Sequence, residues 1–183
     1  MDTPRIEPAR PPFAPDMQAL LDRTMRGAPP LRLFTTLARD SRLFHKLFAA
    51  SLLDRGHLTP RQREIVIDRT TALCGAEYEW GVHVAVFGPH VGLTPAQIHS
   101  LVHGGPHDDC WPDEERPLLH LCDALHADCD VDDALWASLR QSFSEEAMLE
   151  LLMLAGLYRM VSGLTNALRL PLEPGAARFP VAA

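Results

Sequence analysis

The sequence is poor in basic residues and has no basic stripe with interleaved aromatic side chains. Lysine and arginine together number 17 against 24 aspartates and glutamates, so the formal net charge is −7. This surplus of negative charge opposes contact with nucleic-acid phosphates and with anionic lipid headgroups. We therefore expect neither a nucleic-acid partner nor a membrane partner.

Cysteine is also scarce, with four residues that have no regular spacing in a chain of 183. A disulfide framework needs a denser pattern in a shorter chain, so the thiols are expected to be reduced. The proline-rich start MDTPRIEPARPPFAP lacks the apolar segment of a secretory signal. Both observations favour a cytoplasmic location.

Glycine-rich phosphate-binding patterns and the Gly-x-Ser-x-Gly nucleophile motif are both missing. No segment alternates between apolar and polar residues for long enough to predict a strand, and the apolar run over 151–157 is too short to span a bilayer. The apolar content of 46% is ample for one core. We predict an extended arm over residues 1–15, laid over a neighbouring subunit, a single all-α domain over 16–172 and an irregular tail over 173–183.

Two predicted helices within residues 59–105 hold most of the side chains capable of chemistry. The first runs from about Pro60 to Cys74, because Thr59 is a capping residue and proline is favoured at the first helical position. The second covers Glu77–Phe87 and stops at Gly88-Pro89. Upstream, Asp16 is predicted to cap a short helix, and an apolar stripe predicts a longer one from residue 40 or 41 to 56.

Glu79, Trp80 and His83 share one side of the second helix, because they are spaced three and four residues apart. A carboxylate one turn from an imidazole fixes the ring tautomer and raises its pKa, while an indole excludes water. Glu64 on the first helix reaches the same histidine if the two helices pack antiparallel. The same spacing also fits an ordinary pair of surface residues.

Histidine and cysteine recur between residues 99 and 129, in the groups His99, His103, His107 with Cys110, and Cys122, His126 with Cys129. Two histidines four residues apart on a helix can bind zinc. A Gly-Gly-Pro break precedes His107, however, and the zinc-protease motif is absent. We therefore expect no metal site.

Three motifs occur in order: Arg63-Glu64, then Tyr78-Glu79-Trp80 with His83, then Gly92-Leu93-Thr94. Over about residues 40 to 105, this pattern resembles the carboxymuconolactone decarboxylase family, which includes the alkyl hydroperoxidase D-like proteins. The resemblance implies an all-α, alkyl hydroperoxidase D-like helical bundle that assembles into trimers or hexamers. It also places His83 at the motif histidine and Glu64 at the upstream glutamate of a proton relay.

The chain departs from the hydroperoxidase branch of that family, whose motif is Cys-x-x-Cys-x-x-x-His. Ala76 and Glu79 stand where that branch has its two cysteines, so the dithiol redox cycle cannot run there. Cys74 is nearby, but Glu77 occupies the position three residues on. The decarboxylase branch likewise lacks the dithiol and keeps a histidine, which favours acid/base chemistry over peroxidase chemistry.

We therefore predict a cofactor-free enzyme that decarboxylates, or transfers a proton to, a small carboxylated lactone or keto-type acid. The predicted catalytic residues are His83, Glu64 and Glu79, and the predicted pocket residues are Tyr78, Trp80, Cys74 and Phe48. Further candidates to orient an acidic substrate are Tyr158, Arg159 and Asn166. One alternative is a hydroperoxide reductase of the peroxiredoxin type that uses Cys74. Another is a non-enzymatic helical binding or stress-response protein.

Overall fold

The computed structural model describes residues 3–182, which form ten α-helices. The helices are α1 (Pro15–Met25), α2 (Arg32–Leu37), α3 (Ser41–Ala49), α4 (Pro60–Leu73), α5 (Glu77–Val86), α6 (Gly88–Val91), α7 (Pro95–His103), α8 (Arg116–Ala127), α9 (Asp133–Arg140) and α10 (Glu145–Leu168). The described residues contain no strand, so the predicted all-α fold is confirmed.

Helix α4 is the centre of the fold, because it packs against α5, α7, α8 and α10. Every residue from Glu64 to Thr71 is buried, which requires neighbours on all sides of the helix. A capping box fixes its start. Thr59 Oγ1 accepts a hydrogen bond from the Gln62 backbone N–H at 3.2 Å, and the Gln62 side chain accepts one from the Thr59 N–H at 2.9 Å. Helix α7 begins with the same kind of box.

Charged side chains of α4 tie the neighbouring helices to this centre. Arg69 is only 6% exposed, and its Nε donates to Asp123 of α8 at 2.7 Å. Its Nη1 donates to the carbonyl oxygens of Leu101 and Gly104, at 3.0 and 3.1 Å, where α7 ends. The last carbonyls of a helix have no partner within that helix. Arg69 therefore satisfies the end of α7 while it joins α4 to α8.

Helix α10 is the longest element and packs along α4 and α5. Within residues 3–182 it is the one helix whose length and mean hydropathy, 1.4 over its most apolar window, are sufficient to cross a membrane. In the fold, 44% of that window is buried in the protein. The core helix of a globular protein has the same composition, because one whole face must be apolar.

Two local predictions are wrong. Helix α1 begins at Pro15 with Ala14 as its N-cap, so Asp16 lies in the first turn and does not cap it. Helix α3 ends at Ala49, well short of residue 56. Helix α5 ends at Val86, just before Gly88-Pro89 as predicted, and the same two residues open the short helix α6, because proline is tolerated in the first turn of a helix.

The described part of the N-terminal arm, residues 3–14, packs on its own chain. The backbone N–H of Arg5 donates to Leu168 O, and that of Ala9 donates to Thr35 O, both at 2.9 Å. Backbone polar groups need partners wherever they leave water. The end of α10 and the helix α2 supply them here.

The tail from residue 173 has no helix, but it is bound closely to α5. The backbone N–H of Ala177 donates to Gly81 O at 2.9 Å, and the Phe179 ring packs on Trp80 with the ring centroids 5.0 Å apart. A Cβ atom on Gly81 would lie 2.2 Å from Ala177 O. Glycine in the middle of a helix costs about 1 kcal/mol relative to alanine. Here its absent side chain is what allows the tail to approach.

Candidate active site

His83 occupies the centre of the candidate site, between two glutamates. Its Nδ1 lies 2.9 Å from Glu64 Oε2 on α4, and its Nε2 lies 3.6 Å from Glu79 Oε1, one turn earlier on α5. The exposed fractions of the three residues are 3% for His83, 2% for Glu64 and 7% for Glu79. The expected approach of Glu64 to His83 is thus present, and the arrangement is a buried ionic cluster, not a surface pair.

Aromatic rings enclose the imidazole, but the indole is not among them. The Tyr158 ring of α10 stands edge-on to the His83 ring at a centroid distance of 5.0 Å, and the half-buried Phe87 ring lies at 5.2 Å. Trp80 is fully buried and packs on Phe179 of the tail. Of the polar candidates on α10, Tyr158 is the one that faces the site.

Asp68 is a further member of the cluster that the sequence analysis did not identify. It lies one turn after Glu64 on α4 and is completely buried. Neither of its carboxyl oxygens has a hydrogen-bond partner, and Glu79 Oε2 and Trp80 Nε1 are also unpaired. Buried polar atoms without partners are uncommon in folded proteins. Asp68 and Glu79 therefore offer oxygen atoms near His83 that could contact a polar ligand.

The charges of this cluster follow from its burial. Burial lowers the pKa of His83. The hydrogen bonds to Glu64 and Glu79 together raise it by more, so that the net pKa is about 10. Burial and the neighbouring charge of Glu64 raise the pKa of Asp68 well above its ordinary range. At neutral pH His83 is therefore an imidazolium with a proton that can be donated, and Asp68 keeps its proton to a higher pH than an ordinary aspartate does.

Tyr78, a predicted pocket residue, is held by the tail. Its hydroxyl donates to Glu173 and accepts from the Leu33 backbone N–H at 3.1 Å. Burial raises the pKa of this hydroxyl, and the hydrogen bond to Glu173 raises it further. Tyr78 therefore anchors residue 173 between α2 and α5, and its contacts are structural.

Cys74 and Phe48, also predicted to line the pocket, lie in other parts of the fold. Cys74 caps the far end of α4, about 15 Å along the helix axis from Glu64 by helical rise. Its Sγ contacts His126 Nδ1 at 3.8 Å. Phe48 packs on Phe34 in a separate apolar cluster beneath α1 and α3. The structure brings together Glu64, Glu79 and His83. Cys74 and Phe48 lie outside this group.

Two other groups of candidates have contacts of their own. Arg159 Nη1 donates to the carbonyl oxygens at the end of α8, and Asn166 Nδ2 donates to Cys74 O at 2.9 Å. The ring of His99 packs on His103, and that of His107 on His120. Over residues 3–182, no group of three or more histidine, cysteine or acidic side chains has an arrangement that could hold a metal ion.

The raised pKa of Asp68 predicts how stability depends on pH. The unfolded carboxyl loses its proton near pH 4, while the folded carboxyl keeps its proton to higher pH. This contribution to stability is complete below the unfolded pKa and is lost as the pH rises through the folded pKa. Asp68→Asn places an amide, which cannot ionise, at this position. The free energy of unfolding of the variant should therefore fall less with rising pH than that of wild type.

Urea unfolding at pH 5, 7 and 9 measures this difference. The exposed residue Asp109 provides a matched control, because Asp109→Asn should leave the pH dependence unchanged. If Asp68→Asn shows the same pH dependence as wild type, Asp68 is ionised in the folded protein and the assignment is wrong.

Part of the chain matches a known protein family. Residues 41–115 match the model of the carboxymuconolactone decarboxylase family. No curated protein matches the chain. Among solved structures, an uncharacterized peroxidase-related protein from Silicibacter sp. TM1040 superposes with a TM-score of 0.81 at 15% identity, covering 98% of this chain and 100% of that one.

Two further structures share the fold. The alkylhydroperoxidase AhpD core of a peroxidase-related protein from Ralstonia eutropha JMP134 has a TM-score of 0.77 at 19% identity, covering 88% of this chain and 87% of that one. A variant of the debrominase Bmp8, in complex with 2,3,4-tribromopyrrole, has a TM-score of 0.76 at 15% identity, covering 96% of this chain and 94% of that one. The resemblance seen in the sequence is thus confirmed: residues 41–115 match the carboxymuconolactone decarboxylase family, and the chain has the AhpD-like helical fold.

Proposed function

We propose that the protein is a cofactor-free acid/base enzyme that decarboxylates, or transfers a proton to, a small carboxylated lactone or keto-type acid. The observation that carries the proposal is the buried imidazolium of His83 between Glu64 and Glu79. A protonated imidazole in a site closed to bulk water is a strong hydrogen-bond donor and a positioned acid. The match of residues 41–115 to a family named for a decarboxylation supports the same chemistry.

The reaction that fits these groups has two steps. The substrate carboxylate leaves as carbon dioxide, and its bonding electrons move into a neighbouring carbonyl of the substrate to give an enolate. His83 stabilises the enolate oxygen by hydrogen bonding and then gives a proton to carbon. Glu64 and Glu79 hold the ring in place and restore its proton, which is the usual role of a carboxylate beside a catalytic histidine.

The substrate needs a path to this buried histidine. Phe87 is half-buried, follows α5 directly and packs against His83, so it separates the imidazole from solvent. We place the entrance at this side chain. Tyr158, on the opposite helix, keeps its hydroxyl proton because burial raises its pKa, and it offers a second donor to an acidic substrate.

His83→Gln should abolish this chemistry, because glutamine retains hydrogen-bonding groups but cannot donate a proton as an acid. We expect the rate of carbon dioxide release from a panel of small carboxylated lactones and keto acids to fall at least about 100-fold. His90→Gln, at an exposed histidine of α6, is the matched control and should retain full activity. Circular dichroism verifies that both variants fold, and full activity in His83→Gln would exclude the mechanism.

The pH profile tests which form of His83 is active. Because the pKa of His83 is about 10 and the reaction needs the protonated ring, the rate should hold from neutral pH and fall as the pH rises through about 10. Glu79→Gln removes one of the groups that raise this pKa, so the fall should move to lower pH. A wild-type profile that already falls near pH 6.5, the value of an unperturbed histidine, would contradict the assignment.

A second candidate function is hydroperoxide reduction by Cys74, favoured by its 3.8 Å contact with His126. A thiolate would attack one peroxide oxygen, release the alcohol and become a sulfenic acid, which an external dithiol reduces. Peroxide consumption with a dithiol should then be lost in Cys74→Ser and reduced in His126→Asn, but kept in Cys110→Ser. Equal peroxide consumption by all three variants would exclude Cys74 as the residue that reacts with peroxide. If neither assay shows activity, a non-enzymatic binding role becomes the remaining hypothesis.

We further propose a cytoplasmic location. All four cysteines are free: Cys74, Cys110, Cys122 and Cys129. Free thiols, one of them exposed, suit a reducing compartment.

A further inference from the structure

A small recess lies between α4, α8 and α10, and the proposed function does not use it. Its volume is about 140 Å³. The side chains at its inner end are buried: Thr70, Cys122 and Ala155. Its wall and mouth include Leu125, Leu152, Gly156 and Arg159, of which the last two are exposed. The recess is thus closed on the side of the core and open to solvent at its other end.

The size and the walls of the recess suit one uncharged aromatic ring. Apolar cavities of about 150 Å³ bind benzene. Leu125 and Leu152 supply apolar wall here, and burial raises the pKa of the Cys122 thiol to about 12, so the thiol is uncharged at neutral pH. An ionised group at the inner end would lose its hydration without meeting an opposite charge, at a high cost in free energy. The recess therefore favours a neutral ligand.

The inner end of the recess holds a hydroxyl that has no bond. Thr70 is 6% exposed, and in the described part of the chain its Oγ1 has no hydrogen-bond partner. Hydroxyls in a helix usually donate to a carbonyl one turn earlier, as Thr71 and Ser162 do at 2.8 and 2.7 Å. For Thr70 that carbonyl belongs to Val66, and the side chain bonded to it is Cys122, whose Sγ donates at 3.7 Å. The Thr70 hydroxyl is therefore available to a ligand that enters the recess.

We propose that the recess binds a small neutral aromatic alcohol of the size of phenol, with its hydroxyl bonded to Thr70 Oγ1. The hydroxyls of phenol and of threonine each donate and accept, so the bond can form in either direction. At the mouth, Arg159 Nη1 is fixed by the carbonyl oxygens of Leu125 and His126, at 2.9 and 3.2 Å. A guanidinium held in this way presents a cation to the face of an aromatic ring, which favours a ring over an aliphatic alcohol of the same size.

This site is separate from the cluster around His83. Consecutive residues of a helix are turned by about 100°, so Thr70 points to nearly the opposite side of α4 from Asp68. The recess is formed with α8 and α10, whereas His83 lies on α5. Binding in the recess does not depend on the acid/base chemistry proposed above, so His83→Gln should retain it.

Gly156 allows the recess to be filled without disturbing the core. A Cβ atom on Gly156, or on Gly163 two turns later, would meet no atom of the described chain within 4 Å. The ring of Gly156→Phe should enter the recess, whereas Gly163→Phe, outside the lining, is the matched control. Fluorine NMR of 4-fluorophenol should show binding to wild type and to Gly163→Phe, and loss of binding in Gly156→Phe. A wild type that does not bind at millimolar concentration, or unchanged binding by Gly156→Phe, would overturn the proposal.

Thr70→Val tests the hydrogen bond, because valine keeps the shape of threonine and lacks the hydroxyl. The variant should bind 4-fluorophenol at least about 5-fold more weakly than wild type, since the ligand hydroxyl is left unpaired. Its affinity for 4-fluorotoluene, which has no hydroxyl, should not fall. An unchanged affinity for 4-fluorophenol, or an equal loss for both ligands, would contradict the bond to Thr70. Tighter binding of 4-fluorobenzoate than of 4-fluorophenol would show a site for an anion and overturn the choice of a neutral ligand.

Discussion

The contact between His83 and Glu64 sets the requirements that the surrounding fold must meet. An imidazolium and a carboxylate removed from water lose several kcal/mol of hydration each, and their attraction offsets this only when the geometry is good and the remaining polar atoms are satisfied. Removal of one partner would leave an unpaired buried charge, at a cost of about 3–5 kcal/mol. Helices α4 and α5 must therefore keep their register, and α10 must close over both.

Acidic side chains outnumber basic ones in this cluster. Glu64, Asp68 and Glu79 would together place three negative charges beside one positive ring. Burial and the nearby charge of Glu64 raise the pKa of Asp68, so this carboxyl keeps its proton to a higher pH than an ordinary aspartate does. Glu79, which stands where the hydroperoxidase motif has its second cysteine, adds a carboxylate to this cluster.

The sequence predicted those features that local chemistry controls. Thr59 and Thr94 fixed the starts of α4 and α7, because a capping residue followed by proline satisfies the first backbone N–H groups. The proximity of Glu64 to His83 followed from the family motif together with antiparallel packing. The sequence did not reveal Asp68, because an aspartate between Ile67 and Arg69 has the pattern of a surface position. The sequence did mark Tyr158 as a candidate substrate contact, but it did not predict that the Tyr158 ring packs on His83, since Tyr158 arrives from a helix distant in the chain.

The tail also affects the order in which the protein folds. Residues Arg178 and Phe179 bond to Glu77, about a hundred positions earlier in the chain. Contacts that close so long a loop form slowly, because the chain loses conformational entropy before the new contact contributes to stability. The helices around α4 are joined by short connections and can assemble first. The outer side of α5, where Phe179 covers Trp80, is then completed late. The helix that carries His83 is therefore fully enclosed only when almost the whole chain has folded.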